Sequence, residues 1–213
     1  MDTRRIAIIG SGDLGQSIAH YGNHNGYHIV GFYDDYQQSD SVVGLPVLGK
    51  LDDIVDDFKL KTFDALLCGI GYKHFDFREK VYTKYCINNN IPFATLIDQS
   101  CNIDSTASIG EGSVLFPGVQ LDKGVTIEEN VILNISVTIA HDSTVKAHSF
   151  LSPRVAMAGF STIGKRCMIG INSTIIDNIT ICDDVRIGGG NLVIHDIDKP
   201  GLYVGCPARF IKE

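Results

Sequence analysis

Two groups of residues in this 213-residue chain have the types and spacing to do chemistry. The first is Gly10-Ser-Gly12-Asp-Leu-Gly15, a G-x-G-x-x-G that follows the apolar run Arg5-Ile-Ala-Ile-Ile. Such glycines permit a tight turn and let a phosphate approach the N-terminus of a helix. Asp34 and Asp35 end the next apolar run, Asp34 at about the distance where an acid would meet the ribose of NAD. The second group is His141-Asp142. An imidazole accepts a proton near neutral pH, and here its chain neighbour is a carboxylate.

The elements that must position the first group alternate between strand and helix. Arg5 to Gly10 reads as a buried strand, Asp13 to Asn25 as a helix, and His28 to Tyr33 as a second strand. Val42 to Leu48 reads as a short strand, Leu51 to Phe58 as a short helix, and Asp64 to Gly71 as a third main strand. Phe77 to Asn90 is an amphipathic helix and Pro92 to Ile97 a last strand. This alternation predicts an α/β domain on a parallel sheet, spanning residues 1–98. Ligands on such sheets bind at the carboxyl ends of the strands. Those ends carry Gly10 to Gly15, Asp34-Asp35 and Gly69-Ile-Gly71. Three readings follow: NAD binding, binding of a single nucleotide, or a Rossmann-like half-domain without a ligand.

The second group sits on a different scaffold. From Ile103 to Val193, every sixth residue is a large aliphatic: Ile103, Ile109, Leu115, Leu121, Ile127, Leu133, Ile139, Val145, Leu151, Met157, Ile163, Ile169, Ile175, Ile181, Ile187, Val193. Two residues before each stands a small or β-branched side chain, such as Ala107, Ser113, Val119 and Val125. A period of six suits neither an α-helix nor a flat sheet. It suits a β-solenoid whose sides each send one large side chain to the axis. With three sides per coil, residues eighteen apart stack directly. His141 then lies one coil from Gly159, and Asn134, Ser152, Gly170 and Gly188 form one corner column. Residues 99–213 make this second, all-β domain, with Lys199 to Arg209 as a terminal cap.

Composition bounds the rest. A net charge of −7 without a basic stripe argues against nucleic-acid binding. No apolar run approaches the length of a membrane span and the N-terminus carries no export signal, which predicts a cytoplasmic protein with no membrane insertion. Six cysteines without metal spacing read as reduced core thiols, and no metal is expected.

At the level of motifs the repeat is specific. Units such as Ile109-Gly-Glu-Gly-Ser-Val and Ile163-Gly-Lys-Arg-Cys-Met, with the ending Tyr203-Val-Gly-Cys-Pro-Ala-Arg209, resemble the left-handed β-helix acyltransferases. Joined to the N-terminal Rossmann-like half-domain, the whole chain resembles the bacterial nucleotide-amino-sugar N-acetyltransferases, grouped with sialic acid O-acetyltransferases. The resemblance implies a left-handed helix, a homotrimer with sites at subunit interfaces, and acetyl-CoA as acyl donor. His141 would be the general base and Asp142 its partner, with the N–H of Gly159 stabilising the oxyanion. Gly170, Ile171, Gly188 and Gly189 would follow the pantetheine arm, unless Gly170 and Gly188 serve only corners that need positive φ. His148 would contact the acetyl-CoA end of the site or pack at a subunit interface. Ser11, Gly12, Asp34, Asp35 and Gly71 would hold the nucleotide, and Asn134 would help place the sugar. The implied reaction moves acetyl to the amine of a nucleotide-linked amino-deoxy sugar, for a surface glycan or glycoprotein. Sugar O-acetylation and a non-catalytic nucleotide- or NAD-sensing scaffold are the alternatives. One departure concerns the glycine turn: the family often carries Gly-His-Gly, and this chain has Asp13-Leu14-Gly15.

Overall fold

A computed structural model of the chain describes residues 4–212. They divide into two compact units, one ending at Leu96 and the other beginning at Ile97.

The first unit contains β1 (Arg5–Ile9), α1 (Asp13–His24), β2 (His28–Tyr33), β3 (Ser41–Val42), β4 (Leu45–Gly49), α2 (Ile54–Lys59), β5 (Ala65–Cys68) and α3 (Phe75–Tyr82). The sheet order is β3-β4-β2-β1-β5. β1 and β5 are buried along Ile6–Ile9 and Ala65–Cys68, which is why they read as unbroken apolar runs. The sheet is mixed rather than purely parallel: β3 runs antiparallel to β4, while the other pairs are parallel. A hairpin replaces the single strand expected over residues 42–48. Its turn is Val43-Gly44, both at positive φ (45° and 79°), the geometry that matches the twist of a tight hairpin. The long helix expected from Phe77 is also shorter, since α3 stops at Tyr82 and Thr83–Ile87 form a wider π turn. Of the strand expected from Pro92, a bridge between Leu66 and Phe93 and a short strand at Leu96–Ile97 remain. Pro92 has no N–H for a ladder, though its carbonyl accepts from Leu66.

The second unit is a parallel β-helix with three faces. The first face stacks Asn102–Ile103, Gln120–Leu121, Thr138–Ile139, Ala156–Met157, Thr174–Ile175 and Leu192–Val193. The second stacks Ser108–Ile109 through Thr180–Ile181, and the third Val114–Leu115 through Val185–Ile187. Successive coils pair in register at eighteen residues, as Leu121 with Ile139 and Ile139 with Met157. From Leu115 to Val193 every member of the six-residue aliphatic column is buried, and only Ile103 and Ile109, in the opening coil, are half-buried. Each such side chain contributes roughly 2 kcal/mol of burial.

The small residues of the second column have a separate task. Ser113, Ser143, Ser149, Ser161 and Ser173 are buried beneath corners, where the backbone ladder is interrupted. Each hydroxyl donates to a carbonyl fifteen residues on, as Ser161 Oγ does to Ile176 O at 2.9 Å. It also accepts from an N–H eighteen residues on, here that of Ile179 at 3.1 Å. A serine thus satisfies two backbone groups that valine would leave orphaned. One corner position in each unit takes positive φ, in the series Gly124, Asn130, Ser136, Asp142, His148, Arg154 and Phe160. After Val193 the chain crosses to Gly201–Val204, which pairs with Val185–Ile187 and then with Arg209–Lys212 as an antiparallel hairpin.

Candidate functional site

His141 and Asp142 lie on the corner between the first and second faces, after the strand Thr138–Ile139 and before Thr144–Val145. Asp142 adopts φ of 56° and so turns its carboxylate back on its neighbour, Oδ2 lying 3.1 Å from His141 Nδ1. That contact assigns the proton to Nδ1 and leaves the Nε2 lone pair free. Both side chains are half-exposed. The corner above is shaped for the ring: a Cβ on Gly159 would stand 2.6 Å from His141 Cε1 and 2.8 Å from Nε2. The corner below is shaped for the carboxylate, since a Cβ on Gly124 would stand 2.6 Å from Asp142 Oδ1. Among the described residues the N–H of Gly159 donates to no protein acceptor, while its carbonyl accepts from Asn178 N–H at 3.0 Å.

Phe160 completes this corner and was not among the residues singled out from the sequence. Its ring meets the His141 ring edge-on at 5.0 Å and 84°, although 59% of the residue is exposed. The signal was present: Phe160 stacks eighteen residues above Asp142, in the positive-φ series (56°) where a bulky side chain is uncommon.

The other expected β-helix residues lie elsewhere in the chain. Asn134, Gly170, Ile171, Gly188 and Gly189 share the corner between the third and first faces. The alternative that Gly170 and Gly188 serve positive-φ corners does not hold, because neither has positive φ. Their reason is space. A Cβ on Gly170 would collide with the backbone of Gly188, and one on Gly188 would come within 2.9 Å of Val204 Cγ1. His148 sits on the third corner, only 5% exposed, with Nδ1 3.0 Å from Asn130 Nδ2. Within one chain, then, the two histidines do not meet. Among the described residues no group of three or more His, Cys, Asp or Glu is placed to hold a metal ion.

In the first unit, the carboxyl ends of β1, β2 and β5 open on a cleft of about 520 Å³ lined by Gly10, Gly12, Asp34, Asp35 and Gly69–Gly71. Its remaining wall, made by Tyr36, Leu51, His74 and Phe77, comes from turns and helix ends that carry no motif. The three glycines of the turn are not equivalent. Gly10 takes φ of 92°, and a Cβ on Gly15 would strike the Gly10 carbonyl, so Gly15 allows α1 to pack on β1. Gly12 has open space where a Cβ would be, as does Gly71, and these two leave room for a ligand.

The acidic pair also separates. Asp34 Oδ2 accepts from Ser11 N–H at 2.8 Å and from Ser11 Oγ at 2.7 Å. Its Oδ1 accepts from the N–H groups of Tyr36 at 2.9 Å and Gln37 at 3.2 Å. Burial works against ionisation of Asp34, but the donors of Ser11, Tyr36 and Gln37 outweigh it and hold the carboxyl below the usual carboxylate range. Ser11 is 3% exposed and is spent on this bond rather than offered to a ligand. Asp34, its oxygens already filled from within the chain, is no acceptor for the ribose of NAD. Asp35 accepts from Leu51 N–H through Oδ1 at 2.9 Å, and among the described residues its Oδ2 has no donor. Beneath the floor, the fully buried Arg78 donates from a terminal nitrogen to Ile70 O at 2.6 Å and so pins the Gly69–Gly71 loop. Burial lowers the pKa of that guanidinium.

Comparison with known proteins matches each unit separately and the fold as a whole. Residues 5–85 match the PglD N-terminal domain family, and residues 160–195 the six-repeat bacterial transferase hexapeptide family. Among curated proteins, UDP-3-O-acylglucosamine N-acyltransferase from Bordetella avium is 35% identical over 95 residues, 45% of this chain and 23% of that protein. The same enzyme from Herminiimonas arsenicoxydans is 33% identical over 116 residues, 53% of this chain and 30% of that protein. These matches span less than a third of either relative's length. Among solved structures, the acetyltransferase domain of PglB from Neisseria gonorrhoeae, in complex with acetyl coenzyme A, superposes with a TM-score of 0.90 at 26% identity, covering 98% of this chain and 100% of that one. PerB from Caulobacter crescentus, in complex with CoA and GDP-perosamine, has a TM-score of 0.90 over 97% of this chain and 96% of that one, and at 24% identity it speaks for the fold alone. Among the described residues no helix is long and apolar enough to cross a membrane. The first unit thus carries a PglD-type N-terminal domain and the second a β-helix of bacterial transferase hexapeptide repeats, the two-part architecture shared with the PglB acetyltransferase domain.

Proposed function

We propose that this protein transfers acetyl from acetyl-CoA to the amine of a nucleotide-linked amino-deoxy sugar. The observation that carries the reading is the His141–Asp142 pair set against Gly159, with the imidazole half-exposed to an incoming substrate. Nε2 of His141 accepts a proton from the sugar amine as its nitrogen attacks the thioester carbonyl. A C–N bond forms, the carbonyl oxygen takes up negative charge, and the free N–H of Gly159 is available to stabilise it. Collapse breaks the C–S bond, and the imidazolium returns its proton to the departing thiolate of CoA. No covalent enzyme intermediate is required, because holding both substrates in near-attack geometry supplies the needed acceleration.

The acetyl-CoA-bound relative, which covers nearly the whole chain, supports acetyl-CoA as the donor here. The N-terminal cleft supports a nucleotide handle, with Gly12 and Gly71 for close approach and Asp35 Oδ2 as the open acceptor. Asn134, Gly170, Ile171, Gly188 and Gly189 occupy a different corner from His141, and in this reading a homotrimer brings that corner of one copy to the histidine of the next. His148, buried on Asn130, then serves the fold rather than the donor. A cytoplasmic site of action for a surface glycan or glycoprotein belongs to the same reading. The test is thiol release from acetyl-CoA against a panel of UDP-, dTDP- and GDP-linked 3-amino and 4-amino sugars, with free sialic acid alongside. Turnover of a nucleotide amino sugar supports the reading; turnover of sialic acid alone replaces it with O-acetylation.

A further inference from the structure

We propose that the outer surface of the last β-helix coil binds the phosphate groups of a small phosphorylated ligand. The third face shows a change of character along its outward column. Val114, Ile132 and Phe150 are buried and Met168 is half-buried, but the next member, Arg186, is a solvent-exposed cation. Arg186 pairs with Leu202, and Leu202 pairs with Lys212, so the two cations flank Leu202 in a row across three neighbouring strands. Two strand spacings separate their Cα atoms by about 10 Å, which lets both long side chains converge on one anion.

The row borders a cavity of about 820 Å³ that is also lined by Asp184, Lys199, Pro200 and Gly201. That volume suits a small molecule rather than a flat protein surface. Among the described residues the one carboxylate lining the cavity is already neutralised, since Arg166 grips Asp184 with Nε on Oδ1 and a terminal nitrogen on Oδ2, both at 2.7 Å. Lys199 holds its ammonium 4.6 Å above the Phe210 ring, which fixes it at the rim. Among the described residues the side chain of neither Arg186 nor Lys212 makes a hydrogen bond or an ion pair, their backbones alone being engaged in the strand ladder. Three cations therefore face one cavity on a chain whose net charge is −7. A guanidinium with two ammonium groups matches the oxygens of a phosphate ester or diphosphate, which Arg can grip at two points.

The test is calorimetric titration of the full chain at low salt with inorganic pyrophosphate and with adenosine 3′,5′-bisphosphate. Binding is expected, and the doubly substituted Arg186→Gln/Lys212→Gln protein should bind at least about tenfold more weakly. A charge-matched control, Lys61→Gln/Lys123→Gln, should keep the original affinity. Competition with CoA identifies the source of the phosphates. Displacement by CoA assigns the site to the donor's own phosphates, and simultaneous binding assigns it to a separate phosphorylated ligand. No binding, equal affinity in the substituted protein, or an equal loss in the control overturns the proposal.

Discussion

The imidazole of His141 lies directly against the Cα of Gly159, in space that any Cβ at residue 159 would fill to within 2.6 Å of Cε1. The ring can therefore hold its place only while residue 159 is glycine. Gly159→Ala should push the imidazole off its position and lower kcat by about a hundredfold, the size of loss expected from a displacement near 1 Å. The fold should survive, since Gly159 does not have positive φ. Steady-state kinetics paired with thermal unfolding check this; a fully active Gly159→Ala protein would contradict the placement of the base.

Asp142 should matter less than His141 but through the same ring. Asp142→Asn keeps the shape of the corner and removes the charge that faces Nδ1 at 3.1 Å. The expected result is a kcat reduced by roughly tenfold to a hundredfold with unchanged KM for acetyl-CoA. An unchanged kcat would make the carboxylate a bystander.

The two neighbouring aspartates of the cleft should part company on substitution. Asp35→Asn should raise KM for the nucleotide sugar and leave stability nearly untouched, because only its Oδ1 serves the fold. Asp34→Asn should destabilise the N-terminal unit by on the order of 1 kcal/mol, through weaker acceptance from Ser11, Tyr36 and Gln37. Asp34 also sets a pH dependence. Its folded-state pKa is depressed, so its contribution is fully present above the unfolded value of about 3.9 and is lost as pH falls through the lower folded value. Acid unfolding monitored in wild type and Asp34→Asn should show that component only in the wild type.

The glycine turn offers a sharper contrast. Gly15→Ala would drive a Cβ into the Gly10 carbonyl and should prevent α1 from packing on β1, abolishing a folded N-terminal unit. Gly12→Ala meets nothing within 4 Å and should fold normally while weakening nucleotide-sugar binding. Circular dichroism and KM measured on both proteins would separate these outcomes.

Much of the β-helix was legible because one rule repeats. A column such as Leu121, Ile139, Met157 and Ile175 states in sequence the same eighteen-residue register that the strands show in space. The site was legible where it followed that rule, as in the stacking of Gly159 on His141. It was not legible where side chains decide. Nothing in the spacing of Ser11 and Asp34, twenty-three residues apart, says that one will fill the other's carboxylate. Nor does the phase of His148 say that Asn130, one coil below, will bury with it. The Val43-Gly44 turn was missed for a similar reason: a β-branched residue at positive φ is a poor turn signal, and the pairing of Ser41–Val42 with Leu45–Gly49 imposes it.

The most direct test of the account is acetyl transfer by wild type and His141→Ala on the best substrate of the amino-sugar panel, with the product analysed by mass spectrometry and the assembly state checked by light scattering. The account predicts an N-acetylated nucleotide sugar from the wild type, and kcat lowered by at least about a hundredfold in an intact His141→Ala assembly. Equal turnover by the two proteins, or acetyl found on oxygen, would contradict it.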